Sequence, residues 1–567
     1  FIHANVLLYL ACMKFQLHKY SILSLGLTLF STFVLGQIET IELPAPDHIQ
    51  VWDRIEKEAY YEGRDLVGVI LEHQVDFFEF SSHEVLADGV NEWKLNLKSE
   101  DAQGLSVYFN DFHVPVGGML YLESPAGSFE TIYQEGPIDH TENNDHGKWS
   151  SCDIPGEIVT VIYRQPSSIV GNARLGIMGL GYFVKGVTRG SDECQVDVMC
   201  PEGDSWQCER DGSVRLRVTQ NAGIYYCSGS MVNNTSLDCR QLLLSAFHCA
   251  DSVGDDEWGY FKVRYNYEYL ECGGTTSVNS HTRTGVILLT SSNDATIQGF
   301  SGSDFLLVEV EDPILESWNP FYAGWDATGI TGQSGVGIHH PSGDRKKIST
   351  YSSALINSSI GNVGSHWKVY WVSTETNHGV TEGGSSGSPI YNQNHHIVGT
   401  LSSGASACVN GGVGPGTGPY APDYYGKMSY HWDGNNPIPE QDKLRYFLDP
   451  ENTGQETLHG SYVGAGDTPC GGFGSCDDTE VSGTILEGMG WTVSPNPAAN
   501  KVLITMPHGA PLSEVRIYDA FGRLVEAITP GEVEYYTLDV SEMSSGLHYL
   551  TVRTTDGTSS THKLVVE

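Results

Sequence analysis

The chain has 567 residues, too many for a single hydrophobic core, so three or four units are expected. Hydrophobic residues make up 40%, charged residues 18%, and glycine occurs 65 times, which suits an all-β protein with many tight turns and excludes a disordered or coiled-coil chain. With 31 Lys and Arg against 70 Asp and Glu the net charge is −39, which repels phosphate backbones and anionic lipid and argues against nucleic acid as a partner.

Lys14 and Lys19 precede an apolar run from Ile22 to Leu35 that ends at Gly36, the pattern of a secretory signal peptide, with Met13 as the expected start. The stretch from Tyr20 to Leu35 is short of the roughly 20 apolar residues needed to span a bilayer, and no later stretch is apolar enough, so no transmembrane anchor is expected. Twelve cysteines, eight of them between Cys152 and Cys272, lack the paired spacings of a zinc site and read as disulfides, which fits an oxidising compartment outside the cytoplasm. No metal or cofactor is expected.

After residues 1–36, the region 37–185 reads as alternating strands and turns, for example Leu105-Ser-Val-Tyr-Phe-Asn-Asp-Phe followed by Pro115 and the Gly117-Gly118 pair, and holds no catalytic constellation. Two basic residues, Lys185 and Arg189, stand before the next unit and are candidate processing sites. Residues 186–466 carry short Val, Ile, Leu and Tyr runs separated by Gly, Ser and Asn, as expected for six-stranded β-barrels. Residues 467–490 are Gly-rich and polar, a linker in which Cys470 and Cys476 are close enough for a small local loop, and 491–567 resumes strand alternation, suggesting a small β-sandwich.

A serine hydroxyl is a poor nucleophile until a histidine takes its proton, and that histidine needs a carboxylate to fix its tautomer and stabilise its charged form. Leu242-Leu-Leu-Ser-Ala-Phe-His-Cys places His248 after a buried strand and directly before a cysteine that can pin the loop. Gly302-Ser-Asp-Phe-Leu-Leu-Val places Asp304 at the mouth of an apolar strand, where a carboxylate needs a partner. Gly383-Gly-Ser-Ser-Gly-Ser-Pro places Ser386 in a glycine-rich turn, with the amides of Gly384 and Ser386 as the expected oxyanion hole. The chain order His, Asp, Ser is that of chymotrypsin. Adjacent His339 and His340 are read as structural, since neighbours on a strand point to opposite faces.

Cys227-Ser-Gly-Ser-Met-Val-Asn-Asn, Phe321-Tyr-Ala-Gly-Trp-Asp, Ile338-His-His-Pro and Gly379-Val-Thr-Glu-Gly-Gly-Ser-Ser-Gly-Ser-Pro-Ile-Tyr resemble the bacterial lysyl endopeptidases of the trypsin-like clan, over about residues 186–449. The resemblance implies a chymotrypsin-like double β-barrel, cleavage after Lys and possible acceptance of Arg, bridges Cys194 to Cys408, Cys200 to Cys272 and Cys227 to Cys249, and a pocket acid at Asp423. Cys208 and Cys239 are additional and form a candidate pair. In trypsin-like digestive enzymes the pocket acid precedes the nucleophile by six residues, where this chain has Val380, and the aspartate that receives a freed N-terminal amine is here Ser385. Removal of a covering propeptide, residues 37–185, is therefore the expected activation step, and Lys185 would allow self-maturation. Ser402 stands where the family often carries a histidine. At the C-terminus, Val493-Ser-Pro-Asn-Pro-Ala, Ile517-Tyr-Asp-Ala-Phe-Gly-Arg-Leu-Val and Gly546-Leu-His-Tyr-Leu-Thr-Val resemble the sorting domain of the type IX (Por) secretion system, implying its machinery as a partner and release from, or attachment to, the cell surface. A catalytically silent, surface-displayed binding protein on a protease scaffold is the competing reading, against which the complete set of catalytic residue types argues.

Overall fold

The structure, a computed structural model, describes residues 38–566 apart from 464–491 and shorter stretches, among them 125–133, 188–189 and 293–301. The expected signal peptide, the linker with Cys470 and Cys476, and Arg189 lie outside the described residues.

After helix α1 (His48–Tyr61), three long strands follow: β1 (Asp65–Asp76), β2 (Gly104–His113) and β3 (Arg174–Phe183). β3 lies antiparallel between β1 and β2. The free edge of β1 pairs with β5 (Gly223–Met231), in register Val69 with Gly223 and Asp65 with Tyr226, and β5 pairs in turn with β4 (Ser213–Gln220). One sheet thus runs from the expected propeptide into the expected catalytic unit, a continuity that strand alternation alone does not reveal.

The alternation of β4 explains why. Val214, Leu216 and Val218 point into a core with Cys227, Leu243, Phe261, Val263, Leu306 and Val308. The opposite face carries Arg215, Arg217 and Thr219, which are also buried. They are covered by the N-terminal region: the Asp153 carboxylate accepts from Arg215 (3.2 Å), Arg217 and the Tyr226 hydroxyl (2.6 Å), while Arg217 reaches Ser150 Oγ (2.6 Å) and Thr219 shares a hydrogen bond with Tyr108 (3.0 Å). Buried guanidinium groups require such partners.

Around β4 and β5 the strand order is β8-β7-β4-β5-β6-β10-β9, all antiparallel, with β6 Leu242–Ser245, β7 Lys262–Tyr265, β8 His281–Thr284, β9 Val286–Ser291 and β10 Leu306–Val310. A second antiparallel sheet is ordered β12-β11-β14-β15-β16-β13, with β11 Gly335–His339, β12 Lys347–Tyr351, β13 His366–Val369, β14 Pro389–Asn392, β15 Ile397–Gly404 and β16 Asp423–Lys427. Leu244 and Leu307 from the first sheet share a core with Ile338, Ile348 and Tyr391 from the second. The chain is all-β in class, as its composition implies.

Disulfides join Cys194 to Cys408, Cys200 to Cys272 and Cys227 to Cys249, the pairs that the resemblance implies, and Cys208 and Cys239 are disulfide-bonded as well. At the C-terminus, strands between Thr492 and Val566 form a three-stranded and a four-stranded sheet around a common core that includes Val502, Ile504, Val515, Ile517, Leu550 and Val552. Among the described residues no helix is long and apolar enough to cross a membrane.

Burial alone would raise the Asp153 carboxyl, but Arg217 and Arg215 hold it far below the usual carboxylate range. Replacing it with Ala strands two buried guanidinium groups. In a Ser386→Ala background, which removes self-digestion, Asp153→Ala is expected to lower unfolding free energy by roughly 3 to 5 kcal/mol in urea titrations at neutral pH. The difference between the two proteins shrinks as pH falls from the ordinary carboxylate range of the unfolded chain towards the depressed folded-state pKa.

Candidate active site

His248 sits in a single 3-10 turn, Phe247–Cys249, that follows β6 and is tied to β5 by the Cys227 to Cys249 bridge. Asp304 lies two residues before β10, with φ of +62°, a left-handed conformation that Asp tolerates better than most residues. β6 and β10 are paired, so the segments leaving them meet: the Phe247 amide donates to the Asp304 carbonyl at 3.3 Å. His248 Nδ1 is 2.7 Å from Asp304 Oδ2, and the His248 amide donates to Oδ1 at 2.9 Å. The acid is sealed at 1% exposure, whereas the imidazole keeps 12% and Ser386 8%. Burial alone would raise the Asp304 carboxyl, but the His248 charge and hydrogen bonds from His248 and Ser402 outweigh it and hold the group below its ordinary value.

The support behind Asp304 was not anticipated. Ser402 on β15 donates to Asp304 Oδ2 at 2.7 Å, which is what this chain does with the position where the family often has a histidine. His431, on helix α2 (Met428–Asp433), bridges Ser303 Oγ (2.7 Å) and Thr400 Oγ1 (3.0 Å) and so ties the residue before Asp304 to the strand carrying Ser402. Burial lowers the His431 imidazole to about 3, leaving it neutral. Thr400 and Ser402 are polar residues spaced by two in the buried run Ile397-Val-Gly-Thr-Leu-Ser, a pattern that hints at a polar task on one face of the strand.

The turn carrying Ser386 is held by its carbonyls. Ser342 N–H donates to Gly383 O (2.6 Å), Ser228 Oγ to Gly384 O (2.9 Å) and Ser228 N–H to Ser386 O (2.8 Å). Gly384 and Gly387 have φ of +91° and +79°. A β-carbon at Gly387 would lie 2.1 Å from Ser245 Oγ and 2.7 Å from the Ala246 amide, so glycine is required there, and the turn seats against the segment that leads to His248. Among the described residues nothing accepts a hydrogen bond from the amides of Gly384 or Ser386.

Asp423 opens β16 and is completely buried. Its Oδ2 accepts from Trp371 Nε1 (2.6 Å), Thr381 Oγ1 (2.7 Å) and Ser406 Oγ (2.6 Å), and its Oδ1 from the Ser406 amide (3.0 Å). A β-carbon at Gly404 would fall 2.3 Å from Oδ1, so a glycine keeps that oxygen approachable. Burial raises the carboxyl above its ordinary value despite these donors. Trp371, Thr381 and Ser406 carry no local motif and were not foreseen. Val380 is buried in the apolar core of the second sheet. Asp192, Glu382 and Cys408 are near enough to surround a cation, but the Cys408 sulfur is bonded to Cys194, and Glu382 already accepts from the Asp192 amide and from Gln195.

Residues 188–426 match the family described as lysyl endopeptidase, C-terminal domain, and residues 492–567 match the secretion system C-terminal sorting domain. The chain is 27% identical over 302 residues to a lysyl endopeptidase of Pseudomonas aeruginosa, an alignment that covers 50% of this chain and 62% of that protein, less than two thirds of its length. Among solved structures it is similar to the thermostable serine protease AL20 from an extremophilic microorganism (15% identity, TM-score 0.27, 41% of this chain and 100% of that one). Protease Anisep from Arthrobacter nicotinovorans is another (16% identity, TM-score 0.27, 38% and 90%). The sorting domain marks the chain for export, secreted or held at the cell surface.

Ser402→Ala removes one hydrogen bond to a buried charge, a change worth about 1.5 to 3 kcal/mol. Labelling of Ser386 by an organophosphonate is expected to slow by about tenfold to a hundredfold, measured as the second-order rate constant at neutral pH.

Proposed function

We propose that this chain, whose residues 188–426 belong with the lysyl endopeptidases, is a serine endopeptidase that cleaves peptide bonds after Lys. The observation that carries the reading is the 2.7 Å contact between His248 Nδ1 and the sealed Asp304 carboxylate, beside the turn that carries Ser386 and two amides that, among the described residues, have no acceptor. In this reading His248 Nε2 takes the proton of Ser386 as Oγ attacks the substrate carbonyl. Asp304 holds the imidazole in the tautomer that leaves Nε2 basic, and stabilises the imidazolium once it forms. The Gly384 and Ser386 amides receive the oxyanion, a term typically worth about 3 to 4 kcal/mol per donor. His248 then protonates the leaving amine, and water resolves the acyl-enzyme by the same path in reverse.

Asp423 is the proposed partner of the substrate ammonium. A compact ammonium fits a single buried carboxylate whose other donors fix its orientation, whereas a guanidinium fork needs width and several acceptors. The region 37–185 is the proposed prosegment, 491–567 the sorting domain read by the type IX machinery, and Lys185 the proposed maturation site. Lys185 lies just past the end of β3 and is held against β1: its amide approaches Val67 O (3.4 Å), and its ammonium pairs with Asp65 (2.7 Å). Cleavage there therefore requires that segment to detach from β1.

Asp304→Asn is expected to lower kcat by about four orders of magnitude on a Lys-amide substrate with the fold intact, since the wrong tautomer is then favoured; an active Asp304→Asn would refute the triad. Because burial raises the Asp423 carboxyl above its ordinary value, it takes up a proton at higher pH than an exposed aspartate, so KM for Lys substrates is expected to climb as pH falls. In Asp423→Ser, KM should be high and flat with pH, and a peptide-library digest should lose its preference for Lys; retained preference would show that another group reads the side chain.

A further inference from the structure

His339, at the end of β11, has a completely buried ring between two hydroxyls: Ser385 Oγ lies 2.8 Å from Nδ1 and Ser349 Oγ 3.0 Å from Nε2. The direction of each bond follows from counting protons. Ser349 gives its one hydroxyl proton to the Val380 carbonyl (3.2 Å), so toward the ring it can only accept, and Nε2 carries the ring proton. Nδ1 is then a lone pair, and Ser385 must donate to it. The Ser385 oxygen in turn accepts from the Glu382 amide at 3.2 Å. A directed relay therefore runs from the Glu382 N–H, through Ser385, His339 and Ser349, to the Val380 C=O, and both of its ends lie on the segment that leads into the Ser386 turn.

The ring keeps this tautomer under working conditions. Burial, with a smaller contribution from Lys347, lowers His339 to about 3, and the Lys347 ammonium is itself engaged by Asp197 and Asp344. Neighbouring His340 faces elsewhere, its Nδ1 against the Asp344 carbonyl at 2.8 Å. Ser385 is also the position that lacks the carboxylate needed to capture a freed N-terminal amine. Here a neutral imidazole holds it instead.

We propose that His339 is a positioning residue, which through Ser385 holds the 382–386 turn, and with it the Gly384 and Ser386 amides, in oxyanion-binding shape before any cleavage of the chain. The proposal deepens the serine endopeptidase reading and rests on it. Ser385 does not touch substrate; its hydroxyl fixes one side of the turn, while Ser228 and Ser342 fix the carbonyls on the other.

The test compares His339→Leu, Ser385→Ala and the double variant in the full chain by steady-state cleavage after Lys and by affinity for two inhibitors. A peptidyl boronic acid with a lysine side chain forms a tetrahedral adduct that uses the two amides, whereas a simple alkylamine needs only Asp423. Expected in each single variant is a fall in kcat of about tenfold to a hundredfold, with an equal fall in boronate affinity, and with KM and alkylamine affinity changed by less than about twofold. The double variant should be no worse than the worse single one, because both remove the same link. Unchanged kcat in Ser385→Ala, or a parallel loss of alkylamine affinity, overturns the proposal. Ser385→Ala leaves the ring and the core volume in place, so it decides the matter even where His339→Leu fails to fold. Ser386→Ala separates the two levels: persistent hydrolysis refutes the serine mechanism itself, whereas its inactivity beside an unimpaired Ser385→Ala refutes only the role given to His339.

Discussion

An ionised carboxylate in a dry interior is costly unless donors surround it, and Asp304 is such a group. Its two oxygens are met by the His248 ring, the His248 amide and the Ser402 hydroxyl. These donors come from two packed elements, the turn after β6 and strand β15, and the acid from the segment before β10, so the charge is tolerated only where β6, β10 and β15 are brought together. The left-handed backbone at Asp304 is held by the same assembly, through Ser303, His431 and Thr400. The arrangement around Asp304 thus follows from satisfying one buried charge.

The same logic recurs on the other side of the first sheet. Arg215 and Arg217 stand on a strand whose apolar face already faces the core, and their own face would meet water if the N-terminal region were absent. Asp153, Ser150 and Tyr108 cover them instead. The region proposed as a prosegment is therefore joined to the proposed catalytic unit by a continuous ladder and by buried charge. A chain with a net charge of −39 thus keeps several of its scarce cations inside, where each can neutralise a specific carboxylate.

Two of the site's histidines work as neutral hydrogen-bonding groups. His431 and His339 are deeply buried, and burial removes their charge. Each then has one donor and one acceptor nitrogen, so each can link two hydroxyls along a defined direction. Such a link is stiffer than a hydroxyl-to-hydroxyl contact, because the ring's tautomer is set by its surroundings and does not rotate.

The all-β class follows from composition and alternation, and His248, Asp304, Ser386 and Gly384 are legible because each sits in a local motif: a strand end before a cysteine, a carboxylate opening an apolar strand, a glycine-rich turn. Asp423 and the cysteine pairs were legible only through resemblance, since no local rule links an aspartate after Pro422 to its donors at Trp371, Thr381 and Ser406. Ser402, His431, Trp371, Thr381, Ser406 and the His339 relay were not legible, nor was the pairing of β1 with β5. The sequence by itself determined which groups are chemically able to act and which faces of each strand are apolar. Only the tertiary structure decided which donors meet which buried charge, because those contacts join residues from as few as 17 to as many as 98 positions apart, and no periodicity along the chain encodes a partner at that distance.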